Sequence, residues 1–284
     1  MIEVGFIESL ETVKENKQGY LLQKQNQFIE LPRQDVKGSI VVGDQIRVFV
    51  YTNKDGRMTA TMNLPEATRK SYGWGTVADV LPKLGAFLHI GLKKDMLVSK
   101  DDLPYFEEVW PIRGDKLFVT LTMDRSGRLF AKPASEDVIL KQSEKAAADK
   151  LDQPFEGYVY RTGKAGTFIW TTEYYRAFLH ESEREKEPRL GERVSGRIIK
   201  IKEDGTINVS LMPRKLESMD ADAEEILIHL TRQGGEIPFS DKSSPEQIKN
   251  TFHISKAAFK RAIGRLMKKD LIEQTSKGTI RFKN

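Results

Sequence analysis

Over the first three quarters of the chain, apolar and polar residues alternate in short runs. Ile46, Val48 and Val50 make one such run, and Leu117, Val119 and Leu121 another. Alternation with a period of two puts apolar side chains on one face of a half-buried strand, so these runs predict β-strands. The runs fall into three sets that repeat in the same order. Each set opens on a glycine strand: VGFIESL from Val4, GWGTVADV from Gly73 and EGYVYRT from Glu156. A Gly-x-apolar strand follows, as KQGYLLQ at 17–23, KLGAFLHIG at 83–91 and KAGTFIW at 164–170. A third short run comes next, FIEL from Phe28, MLV from Met96 and AFLH from Ala177.

Each set then passes through a Gly-acid turn (Gly43-Asp44, Gly114-Asp115, Gly191-Glu192) into a longer alternating strand, which Gly196 interrupts in the third copy. A hairpin closes each set, built on Gly56, Gly127 and Gly205, because tight hairpin turns need positive φ. Those glycines lie 71 and 78 positions apart (56 to 127 to 205), so each set packs about five short strands into some seventy residues. That is the scale of a small OB barrel. A single large sandwich gives no reason for whole strand sets to repeat in order.

After Pro213 the period becomes helical. DAEEILIHLTRQGG predicts one helix ending at Gly234 and Gly235, Ser244-Pro245 a cap and first-turn proline for a second, and Ser255 the cap of a third, KAAFKRAIGRLMKKD. A short strand, EIPF, and a terminal ribbon, LIEQTSKGTIRFK, complete the order of a winged helix-turn-helix. In the third helix Phe259, Ala262, Ile263 and Leu266 share one face, which leaves the basic residues elsewhere. Between the second and third strand sets, Ser135 followed by Glu136, Asp137 and an alanine-rich stretch reads as an N-capped helical spacer, its acids suiting the helix dipole.

The expected fold is therefore mainly β with a C-terminal α+β domain. The units are a first OB barrel at 1–64, a second at 65–134, a helical spacer at 135–152, a third barrel at 153–213 and a winged-helix domain at 214–284.

Composition narrows the chemistry. Hydrophobic and charged fractions of 39% and 31% belong to an ordinary globular chain. The absence of cysteine removes disulfides, thiolate metal sites and cysteine nucleophiles. No apolar run approaches the ~18 residues of a bilayer span and the start lacks a basic leader, so a cytoplasmic protein without a membrane partner is expected. The net charge of +5 permits a polyanionic partner. Much of it is concentrated at the end, where Lys256, Lys260, Arg261, Arg265, Lys268, Lys269, Lys277, Arg281 and Lys283 stand against Asp270 and Glu273.

An OB barrel leaves one sheet face for ligand, and an outward aromatic beside a glycine offers a ring on which a base can stack. Phe87 and Phe168 hold that position, with the glycine clearing room and Arg128 or Lys164 near enough to meet phosphate. An aromatic in a strand more often packs in a core. Its repetition beside glycine is what favours the platform.

These segments resemble the RNA-binding domain named after ribosomal protein S-one, with its G-x-V, G-A-F-V, L-V-H, G-D and D-x-x-G-R pattern. In the second copy the resemblance implies RNA-contacting roles for Phe87, Asp124 and Arg128, while Leu84 and Ser99 depart from the pattern's other aromatic and its histidine. In the third copy Phe168 and His180 match; Ala165, Lys202 and Thr206 replace the second aromatic and the polar pair. In the first copy Arg57 matches, Asn53 and Glu30 replace the aspartate and histidine, and Tyr20 stands beside Leu21 at the aromatic position, so this copy is either mainly structural or uses Tyr20 as an RNA contact after a small shift.

Three such barrels followed by a winged helix are similar to the conserved virulence factor B family of bacterial regulators. The resemblance implies a cytoplasmic protein that binds single-stranded RNA, mRNA included, and acts on gene expression after transcription. Two other readings stay open: a DNA-binding transcription regulator using the basic face of the winged helix, and a module that docks on ribosome or RNA polymerase. A monomer is expected, since no heptad or exposed apolar stripe is evident.

No cofactor, metal or catalytic residue is expected. His89, His180, His229 and His253 lack metal spacing, His229 reading as a core histidine, and Asp101-Asp102 and Asp220-Asp222 fit caps. No Walker loop or Gly-x-Gly-x-x-Gly occurs. The expectation is a non-catalytic binding protein.

Overall fold

The structure is a computed structural model that describes residues 1–163, 165–212, 215–276 and 278–283, with backbone alone over 215–220. Lys164 and Lys277, both named above as candidate contacts, lie outside the described residues. The chain divides into two compact units, Met1–Leu211 and Met212–Asn284.

In the first unit each strand set folds as its alternation requires. Strands β1 (Ile7–Asn16), β2 (Gly19–Lys24), β3 (Gln27–Pro32), β4 (Gln45–Thr52) and β5 (Met58–Thr61) form a closed barrel in the order β1-β2-β3-β5-β4. The third set repeats it with β11 (Pro154–Arg161), β12 (Thr167–Thr171), β13 (Arg176–Leu179), β14 (Arg193–Ile201) and β15 (Ile207–Ser210).

The middle set has the same five strands: β6 (Gly73–Leu81), β7 (Gly85–His89), β8 (Met96–Ser99), β9 (Lys116–Met123) and β10 (Leu129–Pro133). Its sheet runs β10-β9-β6-β7-β8, with no ladder between β8 and β10. The missing ladder is the parallel one, which is less stable per residue than its antiparallel neighbours. In the first barrel that closure rests on a single pair, Glu30 with Thr59.

The glycine that opens each second strand has a local cause. Gly85 has φ +128, and a Cβ there would stand 2.0 Å from the Val98 carbonyl oxygen; at Gly19 it would stand 2.1 Å from that of Leu31. The missing side chain lets the second strand lie close against its antiparallel partner, the third. It clears room for the barrel itself, which corrects the expectation that it clears room for a ligand.

The three sets are not beads on a string. Phe49 and Tyr51, on β4, are buried in the core cluster of the middle sheet with Val77, Leu88 and Val119. Trp74 and Phe118 of the middle sheet pack against Tyr158 and Trp170 of the third barrel at ring separations of 4.9–5.9 Å. Beside that seam Arg189 binds the buried carboxylate of Asp115 at 3.2 and 3.3 Å.

The helical spacer is also corrected. Helix α1 spans only Glu136–Gln142, and the Ser135 side chain makes no cap bond. The alanine-rich remainder folds onto the third barrel, where Glu144 bridges to Tyr175 and Ala146 enters the core. Alanine propensity yields here to tertiary burial.

The second unit holds α2 (Lys215–Arg232), β16 (Glu236–Ile237), α3 (Pro245–Phe252), α4 (Lys256–Lys268), β17 (Ile272–Gln274) and β18 (Ile280–Phe282), with sheet order β16-β18-β17. Ser244 and Gln247 form a reciprocal capping box at α3, and Ser255 caps α4 by accepting from the Ala258 amide at 3.1 Å. Phe259, Ala262, Ile263 and Leu266 all point into the core, as their spacing requires.

Candidate nucleic-acid interface

The third barrel carries the richest surface. Along β12 and β13 the alternation sends Ile169, Ala177 and Leu179 inward and leaves Phe168 and Phe178 half-buried on the outer face. They are register partners, with ring centroids 5.2 Å apart. Tyr160 lies 6.2 Å from Phe168 on one side, and His180 lies 6.4 Å from Phe178 on the other. Four rings thus form a strip across adjacent strands.

Cations sit on that strip. The guanidinium carbons of Arg161 and Arg176 lie 4.0 and 4.6 Å from the Phe168 centroid, and Lys202 Nζ lies 5.9 Å from that of Phe178. Aromatic rings on which bases can stack and cations that can meet phosphates are the two components of a single-strand binding face, and here two of the cations lie over Phe168 itself.

An acid reaches the same place. Glu136, from α1, accepts a hydrogen bond from the Tyr160 hydroxyl at 2.8 Å and from Arg176 Nε at 3.0 Å. Its oxygens also lie 2.9 Å from a terminal nitrogen of Arg176 and 3.3 Å from one of Arg161. Burial, and then the Glu136 hydrogen bond, raise the Tyr160 phenol well above its ordinary range.

On the middle sheet Phe87 is half-buried and outward on β7, between inward Ala86 and Leu88. Among the described residues no ring stacks on it. Asp124 and Arg128 are bound to one another, Arg128 Nε donating to Asp124 Oδ2 at 2.9 Å, while Arg128 lies 5.8 Å from the Phe130 ring. Asp124 Oδ1 also accepts the amides of Ser126 and Arg128, each at 2.9 Å. These bonds, the Arg128 amide first, hold its carboxyl at about 2.

The first barrel shows what that position does. Asn53 Oδ1 accepts the amides of Asp55 and Arg57 at 2.9 and 3.0 Å, the same turn lock without a charge. In the third barrel Lys202 cannot accept, and Asp204 takes over by binding the Thr206 amide at 2.9 Å. The polar pair of this hairpin therefore builds the turn. His180 and Ser99 share a second such role, each accepting an amide two residues on and so capping a short turn after the third strand.

Tyr20 requires a correction. It is 7% exposed and packs in the first barrel's core with Leu10, Leu22 and Ile40, so its ring is closed to a base. It occupies an inward position of β2, one residue from the outward Leu21. Arg57 is exposed on the hairpin, and the outer face beside it carries the exposed Phe28 and Glu30.

In the second unit Lys260, Arg261 and Lys268 are exposed on α4 and Lys269 at its C-cap, whereas Lys256 and Arg265 are half-buried. Arg281 is tied to Glu273 by a hydrogen bond of 2.6 Å. His229 is half-buried, with its ring 6.5 Å from that of Phe239 and 5.1 Å from that of Phe252. Among the described residues no group of three or more His, Cys, Asp or Glu could hold a metal ion, and no helix is long and apolar enough to cross a membrane.

Sequence reasoning missed Tyr160, Arg161, Arg176 and Phe178, much of the strongest surface. The outward parity of Phe178 in AFLH was available as a signal. The two arginines needed the strand crossings that bring them over one ring.

Comparison with known proteins matches this architecture module by module. Residues 4–63 match the S1 domain family, 72–132 the CvfB first S1-like domain, 139–213 the second domain of virulence regulatory factor CvfB, and 224–280 the CvfB-like winged helix domain. The third match includes most of the segment that folds onto the third barrel.

A Bacillus subtilis relative, YitL, is 44% identical over 90% of this chain and 86% of its own length. Conserved virulence factor B of Staphylococcus saprophyticus is 40% identical, over 95% of this chain and 91% of that protein. The protein of the same name from Staphylococcus epidermidis is 39% identical, over 98% and 94%.

A crystal structure of a multidomain protein with nucleic acid binding domains from Streptococcus pneumoniae superposes with a TM-score of 0.69 at 36% identity, covering 98% of each chain. With the fold, the order of modules and full-length relatives in agreement, the chain belongs to the conserved virulence factor B family.

Proposed function

We propose that this protein is a non-catalytic binder of single-stranded RNA. Its first unit holds unpaired bases on barrel faces and its winged helix adds a basic contact to phosphate. One observation carries the reading: the Tyr160, Phe168, Phe178 and His180 strip with Arg161, Arg176 and Lys202 against its rings. A duplex hides its base faces, so a surface of this kind suits unstacked bases.

The S1 and winged-helix matches support a nucleic acid as partner, as do the nucleic acid binding domains of the Streptococcus pneumoniae protein. The name virulence regulatory factor in the family supports a regulatory role, which single-strand binding would exert on transcripts in the cytoplasm. The sites proposed for contact are Phe87, Phe168, His180, Arg128, Arg57 and the α4 cations. Asp124 acts through the turn that positions Arg128. The deciding experiment compares full-length affinity for one sequence as single-stranded RNA, single-stranded DNA and duplex DNA.

A second reading, docking on a protein, is favoured by one feature. Tyr105 and Phe106, 92% and 62% exposed, meet edge to face at 5.1 Å among Asp101, Asp102, Glu107 and Glu108. The loop is held in place by buried Leu103 and by Trp110, whose Nε1 donates to the Pro104 carbonyl at 2.6 Å. Four carboxylates repel a polyanion, so this loop suits a basic protein surface rather than RNA.

A further inference from the structure

Glu136 occupies a converging set of side-chain donors drawn from two strands of the third barrel. One oxygen takes the Tyr160 hydroxyl and a nitrogen of Arg161, and the other takes two nitrogens of Arg176. The forked geometry of arginine fits carboxylate and phosphate alike, because both offer paired oxygens to parallel N–H groups.

The donors also lie where a phosphate would have to be. Both guanidinium groups rest on the Phe168 ring, so a nucleotide whose base stacks on the neighbouring Phe178 and His180 rings carries its phosphate toward them. Among the described residues neither arginine pairs with any carboxylate but Glu136.

The occupant is also displaceable. Glu136 begins a seven-residue helix whose serine makes no side-chain cap bond. The Arg161 side chain is 47% exposed, that of Glu136 22% and that of Arg176 16%, so water reaches the Arg161 arm of the set and that arm is worth little.

We infer that Arg161, Arg176 and Tyr160 form a phosphate site on the third barrel, which Glu136 fills in the free chain and surrenders to an RNA backbone phosphate. The carboxylate is a stand-in for that phosphate. It keeps the arginines ordered and lowers the charge of the face until a strand competes for it. This rests on the single-strand reading and adds to it a ligand class for one site and the residue that guards it.

The test uses the full chain and a labelled single-stranded RNA in fluorescence anisotropy across a salt series. Glu136→Gln keeps a hydrogen-bonding amide in place and removes the charge. It should bind at least about 5-fold tighter, within the usual range of coupling between competing contacts, with a salt slope steeper by about 0.7 for one added phosphate contact. Glu156→Gln is the control, since Glu156 is an exposed carboxylate of the same barrel paired with Arg193. It removes the same charge and should shift affinity by less than about twofold.

An unchanged or weakened Glu136→Gln, or an equal gain in Glu156→Gln, overturns the inference while leaving RNA binding itself intact. If neither wild type nor variant binds RNA, the single-strand reading fails and inorganic phosphate decides the site. Titrated phosphate should then shift the Arg161 and Arg176 Nε–H resonances in Glu136→Gln more than in wild type. Equal or absent shifts would overturn the site.

Discussion

The indole of Trp74, on the first strand of the middle sheet, packs against the ring of Tyr158 on the first strand of the third barrel with centroids 4.9 Å apart. The two repeats therefore meet through equivalent strands. Phe118 and Trp170 close the same cluster at 4.9 Å from one another. An aromatic seam of this kind fixes two repeats as one body, so a strand bound on both would be held at a set spacing.

Trp170 is 2% exposed within that seam, and Trp170→Ala should cost about 3–5 kcal/mol, the usual penalty for emptying a buried aromatic site. Urea denaturation followed by far-UV circular dichroism measures it. A cost below about 0.5 kcal/mol, the range of ordinary surface changes, would mean that the seam does not join the repeats.

Stacking makes a sharper demand. Phe168→Ala and Phe178→Ala should each weaken single-stranded RNA binding by about 1–3 kcal/mol. Tyr20→Phe should leave it unchanged, because that ring is inside the first barrel. RNA affinity that follows Tyr20 and ignores Phe178 would reverse the assignment of inner and outer faces.

Asp124 predicts a pH effect of definite sign. Its carboxyl is held at about 2, below its ordinary 3.8, so the ionised form is favoured by folding. That contribution is complete above the unfolded value of about 3.9 and is lost as pH falls through about 2. Asp124→Asn keeps the turn lock, as Asn53 does in the first barrel, and discards the charge. The stability gap between wild type and variant should be constant above pH ~4 and close below it, by urea midpoints taken along a pH series. A gap that stays constant down to pH ~2 would show that the charge contributes nothing there.

The Tyr105–Phe106 loop separates the two readings of function. If RNA alone is the partner, the double change Tyr105→Ala, Phe106→Ala leaves RNA affinity and its salt slope unaltered, since the four neighbouring acids face a polyanion unfavourably. Anisotropy with the same labelled RNA measures it. A loss of more than about tenfold would place the loop on the RNA path and remove the argument for a protein partner.

The fold was largely legible because its signals are local. Period-two runs, hairpin glycines and the caps at Ser244 and Ser255 each act within a few residues, and repetition in order identified the strand sets. The helical spacer was misread for the opposite reason. Its alanines favour helix, yet Ala146 gains more by entering the third barrel's core than by extending α1.

The candidate site was only half legible. Phe87 and Phe168 sit on strands whose parity the sequence displays, and His180 follows directly on the end of β13. Leu21 falls at the outward aromatic position and Tyr20 beside it faces the core, so of the two readings of this copy the shift that would use Tyr20 fails, because a slip of one residue exchanges the faces of a strand. Arg161 and Arg176 come from strands on either side of Phe168, so their convergence on its ring depends on register that no single stretch encodes.

The central claim is tested most directly by one measurement. The affinity of the full chain for a labelled single-stranded RNA is compared, across a salt series, with that for the same sequence as single-stranded DNA and as duplex DNA. The account predicts tightest binding to the RNA, with log affinity falling by about 0.7 per phosphate contacted for each decade of salt. Tighter binding to duplex DNA would contradict it and make α4 of the winged helix the reader.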